Sequence, residues 1–388
     1  MRINFFFLIT FLFVNQYTIA QTNWQVLQSN TILNLLDVQC LAKDTLFIFG
    51  DDGILLKSTD GGVNFTTHQN ASALIYSAGY FKTLDTGFVA NGGGNVMQTN
   101  NGGSSWNFSG GCTCAIRSIC FANAQIGLFG SLSGVYRTNN GGASWTNTSM
   151  IPFATPKKII SLNDSIFLYT DDNLIFKSTN AGESFTIDTL NYGSSFPISG
   201  LSFIDDSIGF ISSGDGKILK SINQGNTWNL IGNTGNNVRD IVFTDNQNGF
   251  AITGNLSNTI LRSTDGGVSW VSEYTATHSI EKFAYDGYYV FAVGQDGLAL
   301  KKELSPTFTT DISKNEINLF PNPCIDKLYL TNGIKENEIQ IYNYIGQLVY
   351  TLNKVSEDPI DISNLKTGIY FLRVSNKKST TTLPFSKL

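Results

Sequence analysis

The sequence predicts an all-β protein: a seven-bladed β-propeller whose last blade is closed by the N-terminal strand, followed by a small C-terminal β-sandwich. Three observations predict it. First, an eight-residue pattern, [Ser/Thr]-x-[Asp/Asn]-x-Gly-x-x-[Trp/Phe], occurs six times: Ser58 to Phe65, Thr99 to Trp106, Thr138 to Trp145, Ser178 to Phe185, Ser221 to Trp228 and Ser263 to Trp270. Its glycines, Gly62, Gly103, Gly142, Gly182, Gly225 and Gly267, are separated by 41, 39, 40, 43 and 42 residues, and a period near 40 marks a repeat architecture. Second, a turn dipeptide recurs seven times, its second residue at Gly53, Gly94, Gly134, Asn173, Gly216, Asn258 and Gly297. Third, both patterns stop after Leu304-Ser305-Pro306, where a different run of alternating strands begins.

Taken in chain order, the first element is a leader. Met1-Arg2-Ile3-Asn4 is basic, Phe5 to Val14 is apolar and Thr18-Ile19-Ala20 ends in small residues, the form of a secretory signal cleaved after Ala20. Asn23-Trp24-Gln25-Val26-Leu27 then has the form of a strand that follows a box, but no box precedes it. Each repeat unit starts with a β-rich run such as Ile241-Val242-Phe243, followed by a second such as Gly249-Phe250-Ala251-Ile252. The turn dipeptide leads into a third run, as in Asp215-Gly216 before Lys-Ile-Leu-Lys, because a two-residue hairpin favours residues that tolerate positive φ. The box follows, and after its aromatic residue comes a fourth run such as Trp228-Asn229-Leu230-Ile231. Four short strands per period describe one propeller blade. The seventh unit has no box, so the orphan strand at Trp24 completes it and leaves no open sheet edge.

Within the box, the acceptors Asp60, Asn101, Asn140, Asn180, Asn223 and Asp265 are expected to be structural, holding a tight loop through its backbone N–H groups. The octapeptide resembles the Asp-box (bacterial neuraminidase) repeat, and the longer unit is similar to propellers of the photosystem II stability and assembly factor type. That resemblance implies that the boxes lie on the propeller's periphery, away from any binding face.

The domain boundaries expected are a signal peptide at 1–20, a propeller at 21–304, a linker at 305–316 and a β-domain at 317–388. The last contains Phe320-Pro321-Asn322-Pro323, Ile341-Tyr342-Asn343-x-x-Gly346-Gln347-Leu348-Val349, and Asp361-Ile362-Ser363-Asn364-Leu365-x-x-Gly368-Ile369-Tyr370-Phe371. These phrases resemble the type A C-terminal sorting domain of the type IX secretion system. The resemblance implies export, passage through the outer membrane, the type IX machinery as partner and a secreted or cell-surface destination. Pro321, Asn322, Pro323, Gly346 and Gly368 carry the sorting motif. Cys324 departs from it.

Composition excludes some functions. The net charge is −5 with 14% charged residues, and Lys and Arg form no stripe, so nucleic-acid binding lacks its electrostatic footprint. No stretch after the leader approaches the ~20 apolar residues of a spanning helix. Cys40 and Cys120 fall in first-strand segments and read as core. Cys112-Thr113-Cys114 suggests a local disulfide in an exported chain, with Cys120 as a further partner, the pairing being left open by the sequence. His68 and His278 are the only histidines and neither lies near a cysteine in sequence, so no metal or other cofactor is expected.

A sialidase-like propeller would need an arginine triad. Between residues 21 and 304 the arginines are Arg117, Arg137, Arg239 and Arg262. Arg137 and Arg262 occupy the slot before the box that Lys57, Lys177 and Lys220 fill elsewhere, which reads as edge-strand surface charge. Two arginines cannot make the triad. A xyloglucanase-like hydrolase with paired carboxylates among Asp205, Asp206, Asp240 and Asp286 is the runner-up, and no catalytic residue is assigned. Arg117 and Arg239 precede the first-strand apolar triplet in the same register, so they are the candidate binding residues, for an anion or an acidic segment. Pairing with a neighbour such as Asp240 is the alternative role. Tyr76, Phe196 and His278 are further candidates for stacking on a sugar or peptide. The function expected is a monomeric binding or adhesion module for glycan or protein ligands.

Overall fold

The computed structural model describes residues 24–69, 74–148, 156–190, 193, 196–253, 256–304, 319–320, 324–330, 338–343, 346–352, 359–375 and 380–387. The leader and the motif residues Pro321, Asn322 and Pro323 lie outside them. The chain divides into two compact units, residues 1–304 and 305–388.

The first unit holds seven four-stranded antiparallel sheets. Sheets 1 to 6 begin with the strands Leu35–Ala42, Tyr76–Phe81, Ile116–Phe121, Lys158–Ser161, Ile198–Phe203 and Val238–Phe243. Each then adds its next three strands in chain order. Sheet 7 is built from Ile280–Tyr285, Tyr289–Gly294 and Ala299–Glu303, and its fourth strand is Trp24–Val26, in the register Trp24↔Lys302 and Val26↔Leu300. First strands of sheets 1 to 4 pack together in turn, as do those of sheets 5 to 7, the second strand of sheet 4 meets the first of sheet 5, and the first strand of sheet 7 packs against that of sheet 1. Ser29 Oγ reinforces this seam by donating to the Gly297 carbonyl at 2.6 Å across 268 residues of sequence.

The core lies between sheets. Second strands such as Gly87–Asn91 and Gly249–Thr253 are buried throughout, because each is covered on both faces by its neighbours. Phenylalanines dominate: Phe47 stacks on Phe81 at 3.8 Å and Phe210 on Phe243 at 3.5 Å between ring centroids. A side chain at Gly249 would meet the Phe243 ring at 2.6 Å, so the glycine opening this second strand makes room for the aromatic that ends the first.

The box loops share one hydrogen-bond set. Ser58 Oγ accepts from Gly62 N at 2.8 Å and donates to Asp60 Oδ1, which accepts from Asn64 N at 2.9 Å. Asn101, Asn140, Asn180, Asn223 and Asp265 make the corresponding bonds to the residue four positions on. At two hairpins the positive φ falls one residue earlier than the turn reading assigns it, on Asp172 and Ser257 instead of Asn173 and Asn258. The first residue of each dipeptide takes the left-handed conformation that Asp and Ser tolerate without a glycine beside them.

Two of the six boxes carry a titratable acceptor. The Asn64 backbone N–H holds the Asp60 carboxyl down to about 2, and the Ser269 hydroxyl does the same for Asp265, also to about 2. A depressed folded pKa contributes stability that is present above the unfolded value of about 3.9 and is lost as pH falls through about 2. The double substitution Asp60→Asn, Asp265→Asn is therefore expected to flatten the acid limb of the melting temperature between about pH 4 and pH 2 while leaving the neutral-pH value nearly unchanged. Thermal unfolding followed by circular dichroism across that range reads the difference.

The second unit contains a three-stranded sheet (Leu319–Phe320, Lys327–Leu330, Ile360–Asp361) and a four-stranded sheet ordered Leu348–Leu352, Glu338–Asn343, Gly368–Ser375, Thr380–Lys387. One cluster that includes Leu328, Ile339, Ile341, Ile360, Leu372 and Phe385 joins them. Gly346 forms a turn at φ 78°, its N–H donating to Asn343 O at 2.9 Å, and Gly368 opens the third strand of the larger sheet. Cys324 is buried in the same cluster, with its N–H on Ser386 O at 2.8 Å, which explains a small apolar-like residue there. Among the described residues no helix is long and apolar enough to cross a membrane.

Candidate functional site

Six first strands are bulged at one position, between Leu35 and Asp37, Tyr76 and Ala78, Ile116 and Ser118, Ile198 and Gly200, Val238 and Asp240, and Ile280 and Lys282. The bulge residues are Leu36, Ser77, Arg117, Ser199, Arg239 and Glu281. A bulge re-aims its side chain out of the pleat, and this register is what sets Arg117 and Arg239 at equivalent places. The residues that follow are Asp37, Ala78, Ser118, Gly200, Asp240 and Lys282, with Lys158 entering from sheet 4.

A cavity of about 300 Å³ opens among the first strands, lined by Asp37, Arg117, Ser118, Lys158 and Lys282 among others. Asp240 is fully buried, accepts from Phe283 N at 3.0 Å and pairs with Lys158 Nζ at 3.3 Å. Asp37 accepts from Gly79 N at 3.1 Å. Burial pushes the Asp37 carboxyl up, and the Lys282 charge draws it part of the way back. Arg117 is exposed in the cavity and, among the described residues, has no ion-pair partner.

The two candidate arginines therefore differ. Arg239 pairs with Glu281 on the next sheet and does not line the cavity. Its partner is Glu281 and not Asp240, which Lys158 and a backbone N–H already occupy. Lys158, Lys282 and Asp37 were missed as site residues. Their signal was the register of Lys157-Lys158-Ile159 and Glu281-Lys282-Phe283 against Arg117-Ser118-Ile119.

Other expectations are corrected by the packing. Tyr76 is fully buried, 5.8 Å from the Trp106 ring, and presents no stacking face. His278 Nδ1 sits 2.7 Å from Asp296 Oδ2, and Phe196 is about half exposed. Arg137 is not a free surface charge, since its Nε donates to Ala181 O at 2.8 Å, and Arg262 lies beside Glu273. All five cysteines are unpaired. Cys112 Sγ donates to the Cys114 carbonyl at 3.0 Å instead of bonding another sulfur, and burial pushes the Cys120 thiol up.

Of the carboxylates named for hydrolysis, Asp205 and Asp286 hold turns. Asp205 accepts from Ser207 N and Ile208 N, both at 2.7 Å, and Asp286 accepts from Tyr288 N and Tyr289 N. Neither these two nor Asp206 lines the cavity. Among the described residues no group of three or more His, Cys, Asp and Glu side chains could hold a metal ion.

Residues 318–385 match the secretion system C-terminal sorting domain family. The second unit carries a sorting tail. The tail marks the protein for type IX secretion to the cell surface or the extracellular space. No curated protein matches the sequence. Solved structures share the fold of the unit that the tail follows. The structure described as "YCF48 bound to D1 peptide" is 17% identical with a TM-score of 0.61, covering 73% of this chain and 96% of its own. PorZ of Porphyromonas gingivalis, a surface component of the type IX secretion system, is 12% identical with a TM-score of 0.56, covering 92% of this chain and 59% of its own. The GH74 enzyme of Niastella koreensis is 16% identical with a TM-score of 0.52, covering 90% and 65%. At such identities the likeness is one of fold, a β-propeller.

Proposed function

We propose that the protein is an exported binding module: a leader at 1–20, a seven-bladed propeller at 21–304, a linker at 305–316 and a sandwich-like sorting domain at 317–388. Outside the cell it engages a glycan or protein ligand, and the cavity among the first strands receives an anionic group of that ligand. The observation that carries this reading is the charge of the cavity. Arg117, Lys157, Lys158 and Lys282 line it with one carboxylate, Asp37, in a protein whose net charge is −5, and although Asp240 holds Lys158 and Asp172 holds Lys157, Arg117 and Lys282 keep the lining cationic. Among the described residues Arg117 has no ion pair to give up, so it contributes attraction without a broken partner. The YCF48 structure, with its bound peptide, is a precedent for ligand binding on this fold.

A glycoside hydrolase is the second reading, favoured only by the likeness to the GH74 enzyme. It requires two carboxylates across one cleft, and Asp205 and Asp286 are engaged by backbone N–H groups.

The test is titration of the full chain with an acidic peptide, oligo-glutamate, by calorimetry. Binding is expected to weaken as salt rises, and Arg117→Ala to lower affinity by about tenfold, the effect of about 1.4 kcal/mol. Arg239→Ala is expected to change it less, because Glu281 already holds that guanidinium. Affinity unchanged in Arg117→Ala overturns the cavity as the anion site. Turnover of an aryl-glycoside by the same protein overturns the binding-only reading.

A further inference from the structure

The third-strand slot that precedes a box in sheets 1 to 6 holds a cation in five of them, Lys57, Arg137, Lys177, Lys220 and Arg262, and a glutamine, Gln98, in sheet 2, and Lys301 takes the same register in sheet 7, which has no box. Five of these six cations reach across to the next sheet. Lys301 Nζ donates to Gly61 O at 2.9 Å, Arg137 Nε to Ala181 O at 2.8 Å and Lys177 Nζ to Gln224 O at 2.8 Å. These acceptors are the fourth residue of the first, fourth and fifth boxes. Lys57 uses Leu84 O and Lys220 uses Asn246 Oδ1, both in the turn after the first strand.

Between sheets 2 and 3 the bridge is made from elsewhere. Lys82, just past the end of the first strand of sheet 2, donates to Ala124 O at 2.9 Å and Gly141 O at 3.2 Å and lies 3.8 Å over the Phe121 ring. Gly141 is again the fourth box residue. Burial draws the Lys82 ammonium down to about 8. With the bridge supplied by Lys82, the groove that a third-strand cation would cross stays open. It forms a cavity of about 580 Å³ lined by Tyr80, Lys82, Thr86, Gln98 and Gln125 among others. That volume falls within the ~300–1,000 Å³ of small-molecule sites. Among the described residues the side-chain amides of Gln98 and Gln125 make no hydrogen bond.

We propose that this groove between sheets 2 and 3 is a subsite for a neutral saccharide unit. The two amides each offer a donor and an acceptor, the Thr86 hydroxyl adds another such group, and Tyr80 contributes an aromatic wall that suits the C–H face of a pyranose. The one cation is already held by two carbonyls and a ring, so the groove does not select for negative charge. The inference rests on the reading of the protein as a binding module and not on the Arg117 cavity.

The experiment is saturation-transfer NMR and titration of the full chain with cellobiose, lactose and maltose. At least one disaccharide is expected to bind. Gln98→Lys, which places in sheet 2 the side chain its neighbours carry, fills the groove and is expected to lower affinity about tenfold or more by clash. Gln125→Ala, at an exposed position, is expected to weaken binding several-fold with the melting temperature unchanged, which keeps the test valid should Gln98→Lys fold poorly. Oligo-glutamate binding is expected to be unaffected in both variants. Wild-type protein that binds none of the sugars, or both variants binding at full affinity, overturns the subsite. Neither result touches the anion site, whose failure would appear only in the Arg117→Ala titration.

Discussion

Replacing Trp24 with alanine is expected to cost about 3–5 kcal/mol of stability, the range for truncating a buried Trp or Phe. Trp24 is 7% exposed, and its ring meets Phe250 at 5.9 Å, Tyr274 at 6.2 Å and Phe283 at 6.4 Å. It sits where sheets 6 and 7 meet, so the loss removes core area and loosens the strand that completes sheet 7. Denaturant unfolding of the first unit within the full chain reads the midpoint. Trp24→Phe is expected to recover much of the loss, because the indole N–H has no hydrogen-bond partner among the described residues and its removal frees no acceptor. A loss below about 1 kcal/mol in Trp24→Ala, the ordinary effect of a point change, would show that the seam is held by other contacts.

Glu273→Ala is expected to be comparably severe. Its carboxylate lies buried between Lys302 Nζ at 2.5 Å and Arg262 Nε at 3.9 Å, and Lys302 faces Trp24 across the same seam. Removing one member of a buried ion pair leaves the other charge uncompensated, at a cost of about 3–5 kcal/mol. The double variant Glu273→Leu, Lys302→Met is expected to regain most of that stability, since replacing both partners with apolar groups of similar size is often neutral. Equal unfolding midpoints for Glu273→Ala and wild type would show that the pair adds nothing to the seam.

The repeat was legible because its chemistry is local. Ser58, Asp60 and Gly62 satisfy one another within five residues, so the pattern in the sequence is already the hydrogen-bond set in the structure. The same holds for the alternation of apolar strands and turns that makes the unit all-β. Trp24 stood out because it looked like the product of a box that was not there, and its pairing with Lys302 is a long-range contact readable only from that absence. What stayed hidden was set between sheets. Glu281 claims Arg239 from about one period away, and Lys158 reaches Asp240 from 82 residues away. Tyr76 opens a first strand at the register of Leu35, Ile116, Ile198, Val238 and Ile280, all of them buried, and its ring packs beside the Trp106 of its own sheet. Gln98 breaks a column of cations in the sequence, but the groove beside Lys82 is set by bonds between sheets that no local pattern encodes.

The seam has a consequence for biogenesis. Synthesis and export are vectorial, so residues 24–26 emerge long before residues 299–303, the strand they must pair with. Until then the first sheet has no neighbour on one side, and the aromatic pocket for Trp24 does not exist. The unit therefore cannot complete its core until residues 299–303 have been made. An early stop codon would release a strip of sheets with an unpaired edge, a substrate for proteases and for self-association.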